Sequence, residues 1–251
     1  SLLNKLVGKE RAIVSPIAGT TRDAVDTQFE YEGIPLTLID TAGIRKRGKI
    51  DPGVERYSVV RAKKAIERAD VALLMIDAET GITAQDLHIA GFILDAWKST
   101  IVVVNKWDSI EKDSYTMNYY TEKILYELNF MPYVPLLFIS ALTGQRVEKV
   151  LPLALKVQEA RLTHISTSKL NKILRDALDA HPAPSKGGRQ LKIYYATQVR
   201  SDPPTFLVYV NDHKLMHFSY RRFLENQIRA AYEFIGTPIR IVLKGKAKKE
   251  K

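Results

Sequence analysis

From residue 25 to 31 apolar and polar side chains alternate, with Val25, Thr27, Phe29 and Tyr31 set between Asp26, Gln28 and Glu30. A period of two is the pattern of a half-buried strand. Glu32 and Gly33 then turn the chain into a second stretch, Ile34 to Asp40, so the pair predicts a hairpin at a sheet edge. Further along, continuous apolar runs stand at Val71 to Ile76, Ile101 to Val104 and Val134 to Ile139, with helical periodicity over about 54–69, 83–97, 114–129 and 147–162. Buried strands joined by helices predict an α/β domain built on a parallel, doubly wound sheet. In such sheets a ligand sits beyond the carboxyl ends of the strands, so the residues just past each run are the candidates for chemistry.

The pattern changes near residue 166. The segment STSKLNKILRDALDA opens with hydroxyl residues suited to a helix cap and sets Leu170, Ile173, Leu174, Ala177 and Leu178 on one face. HPAPSKGGR reads as a loop. Strands are expected at Gln190 to Val199 and Phe206 to Val210, linked by Asp202, Pro203 and Pro204; a helix follows over about Tyr220 to Phe234, then a strand at Ile239 to Leu243. The expected organisation is a domain over 1–165 and a small α-β-β-α-β layer over 166–251.

Composition adds one strong asymmetry. The chain has 251 residues, 45% apolar and 26% charged, the balance of a globular protein, and a formal charge of +10. Residues 1–163 hold 21 Lys plus Arg against 21 Asp plus Glu, whereas residues 164–251 hold 17 against 7. The excess thus lies in the last third, ending in Lys244, Lys246, Lys248, Lys249 and Lys251. A basic tract is often only a solvated face, but a whole basic domain suggests a polyanion such as RNA. The chain lacks cysteine, which excludes a disulfide scaffold and a cysteine-bearing zinc site and suits a reducing compartment. Its apolar runs are far below the roughly 20 residues that span a bilayer, and no signal segment is visible. A soluble cytoplasmic protein without a membrane partner is expected.

Short words follow the predicted strands. DTAG, residues 40–43, follows the hairpin; NKWD, residues 105–108, follows Ile101 to Val104; SAL, residues 140–142, follows the last run; PIAGTTRD, residues 16–23, lies upstream. Singly, these read as a turn, a capped loop, a strand end and a polar linker. Together, in this order and each at the proper strand end, they resemble the switch and base-recognition motifs of translation-factor-type GTPases.

That resemblance implies GTP and GDP as ligands with Mg2+. Asp108 would accept the N1–H and 2-amino donors of guanine, Asn105 would face its O6/N7 edge, the stem of Lys106 would cover the base, and the Ala141 N–H would meet O6, with Trp107 and Ser140 in the same words. Adenine lacks that donor pair, so a buried carboxylate left facing it costs about 1–3 kcal/mol. In the switch words Thr21 is the implied magnesium and γ-phosphate ligand beside Thr20, Asp40 supports the metal through water, and Thr41, Ala42 and the Gly43 N–H lie at the γ-phosphate. Thr21 and Gly43 are the implied catalytic positions. Ile44 stands where small signalling GTPases place a water-orienting Gln. The resemblance is therefore to the subgroup whose GTTRD loop holds a potassium ion beside the phosphates and turns over slowly alone.

In the second part, HPAPSKGGR, LKIYYATQV, PPTFLVYVND, FSYRRFLENQIR and GTPIRI closely resemble the KH-like domain that ends the Der (EngA) GTPases, bacterial double-GTPase proteins of large-subunit ribosome assembly. The order of the two parts agrees over nearly all 251 residues. The resemblance implies the large ribosomal subunit and rRNA as partners, an upstream GTPase domain in the same polypeptide, and a monomer. It also implies that the central strand and phosphate loop precede SLLNKL, so that residues 1–251 alone neither bind GTP at micromolar concentration nor hydrolyse it. No G-x-x-G occurs in the chain, which removes the usual RNA grip of KH domains. Tyr194, Tyr195, Phe206 and Tyr209 are possible stacking platforms, but their strand placement favours core packing. Lys186, Arg189, Arg221 and Arg222 are the candidates for phosphate contacts, the Arg pair equally for an acidic neighbouring domain. Two other readings stand beside the switch: an RNA- or ribosome-binding module with a nucleotide-free scaffold, and a tRNA-modification GTPase, a family whose terminal catalytic Cys is missing here.

Overall fold

A computed structural model of the chain describes residues 2–8, 12–14, 26–39 and 52–245. All of PIAGTTRD, the switch word DTAG with Ile44, and the terminal lysines from Lys246 lie outside the described residues. So do Thr20, Thr21, Asp40, Thr41, Ala42 and Gly43. The chain divides into two compact units, residues 1–156 and 157–251.

In the first unit, α1 (Leu2–Val7) and β1 (Ala12–Val14) precede the hairpin β2 (Thr27–Tyr31) and β3 (Ile34–Leu38). Alternation sends Phe29 and Tyr31 inward. Glu32 and Gly33 both take positive φ, 52° and 80°, the left-handed pair that matches a two-residue turn to the twist of its strands. Among the described residues the hairpin is not hydrogen-bonded to the parallel sheet. β1 pairs antiparallel with β2, giving a separate three-stranded sheet in the order β1-β2-β3. A nearby stretch of chain fills the edge that the sequence pattern left open.

Helix α2 (Pro52–Arg68) leads into β4 (Val71–Asp77), α3 (Ala84–Asp95), β5 (Ser99–Asn105), α4 (Thr116–Glu127), β6 (Leu136–Phe138) and α5 (Val150–Leu162). Strands β4, β5 and β6 form a parallel sheet with β5 central. Ile101, Val102, Val103 and Val104 are each 0% exposed, which is why β5 reads as an unbroken apolar run: both faces of a central parallel strand are covered. The register places Asp77 opposite Asn105 and Val104 opposite Phe138, so all three strands end at nearly one level. Helix α3 begins with a reciprocal capping box, Thr83 with Asp86.

The second unit is an α-β-β-α-β layer: α6 (Thr167–Ala180), a minimal hairpin β7 (Ser185–Lys186) and β8 (Arg189–Gln190), then β9 (Ile193–Ser201), β10 (Pro204–Val210), α7 (Phe218–Ala231) and β11 (Arg240–Gly245). The expected loop HPAPSKGGR thus holds that hairpin, because Gly187 and Gly188 adopt positive φ of 58° and 71° and close a tight turn. Its second strand takes Gln190, so β9 starts three residues later than the sequence pattern suggests. The sheet order is β11-β10-β9, with β9 antiparallel and β11 parallel to β10. Leu170, Leu174 and Ala177 of α6 and Leu224 and Ile228 of α7 share one core with Ala196, Phe206, Val208 and Ile241 of the sheet.

Side chains of Asn171 and Gln198 in this unit do work that the sequence pattern does not show, while the expected hydroxyl cap does not form. Ser166 occupies the N-cap position of α6, yet its hydroxyl caps no backbone N–H and instead lies 3.5 Å from the Ser168 hydroxyl. Asn171 donates Nδ2–H to the Ala196 carbonyl at 2.7 Å and accepts the Ala196 N–H at 2.9 Å, pairing with β9 as a strand would. Gln198 accepts the Ile165 N–H at 2.7 Å and donates to the Thr163 carbonyl at 2.9 Å. Asn171 therefore satisfies backbone groups of an edge strand that would otherwise recruit another chain, and Gln198 ties that strand to the segment before α6.

Candidate functional site

The level ends of β4, β5 and β6 bring together residues far apart in sequence. Asn105 is the last residue of β5, and its Oδ1 accepts the Ala141 N–H at 2.9 Å. NKWD and SAL are thereby tied by one hydrogen bond. The donors on Asn105 Nδ2 are what this residue has left to offer a ligand. The Ala141 N–H expected at a base O6 is given to Asn105 in this state.

After Asn105 the backbone turns sharply. Lys106 adopts a left-handed conformation, φ 62° and ψ 34°, uncommon for a side chain with a Cβ and a reason to look for function. Its ammonium lies 2.8 Å from Asp77 Oδ2 and 3.1 Å from Glu79 Oε2. These hydrogen bonds, Asp77 first and Glu79 second, hold the ammonium above the ordinary lysine value. Asp77 is itself buried and its Oδ1 accepts the Glu79 N–H at 3.1 Å. The stem of Lys106 is therefore stretched across the strand ends, flooring a shallow recess lined by Met75, Ile76, Asp77, Asn105 and Lys106.

Trp107 points the other way. It is 2% exposed, sits 4.5 Å from the Phe138 ring and 5.2 Å from the Tyr120 ring, and belongs to the core with Ile124, Leu128 and Met131. Its N–H donates to the Ile139 carbonyl at 3.0 Å. Although it stands in the ligand word, its ring anchors the loop to the core and does not face the recess. The next residue, Asp108, is exposed in a single 3-10 turn, Trp107–Ser109. That turn is closed by the Ser109 N–H and hydroxyl on the Lys106 carbonyl.

Ser140 is 0% exposed, and its hydroxyl accepts the Thr143 N–H at 3.0 Å. The Gly144 N–H donates to the Ser140 carbonyl at 2.8 Å. The SAL loop is thus shaped by its own hydrogen bonds, and Gly144 permits the turn with φ 88°. The structure brings Asn105, Lys106, Asp108 and Ala141 to one rim, with Ser140 buried behind it. Asp77 and Glu79 join them; the signal for Asp77 was a carboxylate ending the apolar run VALLMID. Among the described residues no group of three or more His, Cys, Asp or Glu is arranged to hold a metal. No helix among them is long and apolar enough to cross a membrane.

The aromatic residues of the second unit divide. Phe206 is core at 0% exposure, but Tyr195 is 43% and Tyr194 52% exposed, against the expectation of core packing. The two helices cover only one face of the sheet, so strand placement alone does not bury a side chain. Of the basic candidates, Arg221 and Arg222 are exposed on α7, and Arg189 is 3.5 Å from Asp212.

Residues 164–244 match the family described as KH-domain-like of EngA bacterial GTPase enzymes, C-terminal, and residues 1–106 match that described as 50S ribosome-binding GTPase. The chain is similar to GTPase Der of Chloroflexus aggregans, 52% identical over 251 residues, covering 100% of this chain and 56% of the relative. GTPase Der of a Geobacillus species is 54% identical over 242 residues, covering 96% and 56% respectively. The chain therefore spans a little over half the length of these curated relatives. Among solved structures, Era in complex with MgGDPNP and a 16S ribosomal RNA segment has a TM-score of 0.48 at 24% identity, covering 96% of this chain and 86% of that one. That likeness is too slight to argue from.

Proposed function

Because this chain belongs to the Der family of GTPases over the part of that family it spans, we propose that it carries the guanine-recognition end of a GTP-binding and GTP-hydrolysing switch in assembly of the large ribosomal subunit. One observation carries this reading: Asn105, Lys106, Asp108 and Ala141 stand on one rim at the ends of three parallel strands, with Trp107 fixing the loop from beneath. On that rim Asp108 accepts the two guanine donors and Asn105 Nδ2 donates to the O6/N7 edge. The Lys106 stem, held taut by Asp77 and Glu79, lies against the base. Ser140 shapes the loop that presents Ala141.

The phosphate side belongs to Thr20, Thr21, Asp40, Thr41, Ala42, Gly43 and Ile44. A hydroxyl and a carboxylate, Thr21 and Asp40, are the hard oxygen donors that magnesium takes. When bound, that ion offsets the charge developing on the transferred phosphoryl group. With Ile44 unable to align water, the GTTRD loop carbonyls are the ligands this reading gives to potassium. The basic KH-like unit meets rRNA. The protein works in the cytoplasm as a monomer.

The test is nucleotide specificity, measured by calorimetry on the protein extended to the length of its relatives. Asp108→Asn exchanges an acceptor for an amide that suits the 2-oxo group of xanthine. Loss of charge-assisted bonds worth about 1.5–3 kcal/mol weakens GTP by roughly ten- to a hundredfold, and xanthosine triphosphate improves. Unchanged GTP affinity removes NKWD from the site. An extended protein that binds no GTP leaves only the RNA-binding module.

A further inference from the structure

The sheet β9–β10–β11 has one face packed and one open. Phe206, Val208 and Ile241 alternate inward to α6 and α7. The residues between them alternate outward, as successive side chains of a strand must. Register then sets the outward residues in rows across three strands. Tyr195 lies opposite Tyr209, and Tyr209 opposite Lys244. The two rings are 5.7 Å apart, and the Lys244 ammonium is 5.6 Å from the Tyr209 ring centre. The next row on this face carries Thr197, Leu207 and Val242, with the Thr197 hydroxyl 3.1 Å from that of Thr167 at the edge. In the row beyond, Thr205, itself buried with its hydroxyl on the Pro203 carbonyl, stands between Arg200 and Arg240, and these two flanking guanidinium residues are exposed. With about 6.8 Å for every two residues of antiparallel strand, the rows span roughly 13–14 Å.

This arrangement is a pair of aromatic rings with cations at both ends and the uncharged side chains of Thr197, Leu207 and Val242 between. None of the residues in these rows is acidic. The unit that carries the face is strongly basic, with 17 Lys plus Arg against 7 Asp plus Glu over residues 164–251. Its partner must therefore offer flat apolar surfaces and negative charge along one strand, the chemistry of a single-stranded nucleic acid. A duplex hides its base faces, and the carboxylates of an acidic protein surface are repelled by the negative faces of two aromatic rings. Because the chain has no G-x-x-G, the backbone clamp on the helical side of KH domains is unavailable.

We propose that the open face of β9–β10–β11 is a stacking platform for single-stranded RNA, with bases on Tyr195 and Tyr209 and phosphates on Lys244, Arg200 and Arg240. It rests on the reading that the KH-like unit meets RNA, and adds where and in what form.

The test is fluorescence anisotropy of a labelled, unstructured oligouridylate with the whole chain. Tyr195→Ala and Tyr209→Ala each weaken binding roughly five- to a hundredfold, the range for one lost stacked base, and leave the salt dependence unchanged. Tyr195→Phe and Tyr209→Phe keep near wild-type affinity, because the ring carries the contact. Arg200→Ala and Arg240→Ala each lower the log-log salt slope by about 0.7. Ultraviolet cross-linking of the wild-type chain, which needs no variant to fold, marks Tyr195 or Tyr209. Alanine variants that bind like wild type, phenylalanine variants as weak as the alanine ones, or cross-links confined to other segments would each overturn the platform. If the chain fails on oligouridylate yet sediments with large ribosomal subunits in a salt-dependent way, the platform falls and the rRNA reading survives. If it binds neither, both fall.

Discussion

Trp107→Ala separates a ring that anchors the guanine loop from one that touches a ligand. Trp107 is 2% exposed and in contact distance of Phe138 and Tyr120. A buried aromatic side chain covers roughly 150–250 Å². At about 25 cal/mol per Å², the part lost on truncation to alanine corresponds to roughly 3–5 kcal/mol, the range seen for large aromatic truncations in cores. That is about a fifth or more of a typical domain stability of about 5–15 kcal/mol. The chain contains two tryptophans, and both, Trp97 and Trp107, lie in residues 1–156. Trp97 fluorescence during urea denaturation therefore follows the first unit in the variant, without signal from the second. The expected result is a midpoint shift equivalent to about 3–5 kcal/mol, with Trp107→Phe losing clearly less because one ring remains against Phe138. A loss below about 1 kcal/mol, the scale of surface changes, would refute the core role, and with lost nucleotide affinity would turn the ring toward the ligand.

Two predictions concern the charges around the same strand ends. Asp77→Asn removes the first cause of the raised Lys106 pKa, so the Lys106 ammonium, followed by NMR, should titrate closer to the ordinary 10.5. No movement would leave Glu79 as its holder. Because the folded value is raised, the stabilising tie is complete below the ordinary lysine value and disappears as pH rises through the folded one. Asp113 behaves oppositely. Its Oδ1 accepts the Thr116 hydroxyl and the Tyr115 and Thr116 N–H groups at the start of α4, and the Thr116 hydroxyl leads the causes that hold its carboxyl below the ordinary 3.8. Its contribution is present above that value and lost as pH falls through the lowered one. Asp113→Ala should thus melt lower than wild type at neutral pH, and the gap should close in acid. A gap that persists undiminished in strong acid would show that the carboxylate is not what caps the helix.

What the sequence determined by itself is local. The period of two over Val25 to Tyr31 is enough for the hairpin, because each residue's face follows from its neighbours. The unbroken run Ile101 to Val104 is enough for a central strand, and NKWD is enough for its end, since a polar Asn followed by Lys and Asp cannot extend far in a strand buried on both sides. Tertiary structure decided whatever depends on which distant element arrives. The parallel register that sets Asp77 beside Asn105 joins residues 28 positions apart, and no local period records it; only then does Lys106 acquire Asp77 and Glu79. Trp107 lies between two ligand-facing candidates, and its inward turn follows from the left-handed Lys106 backbone and the space beside Phe138 and Tyr120. In LKIYYATQV and TFLVYV both faces carry apolar or aromatic residues, so alternation cannot say which one the helices cover. Docking of α6 and α7 buries Phe206 and leaves Tyr195 in solvent.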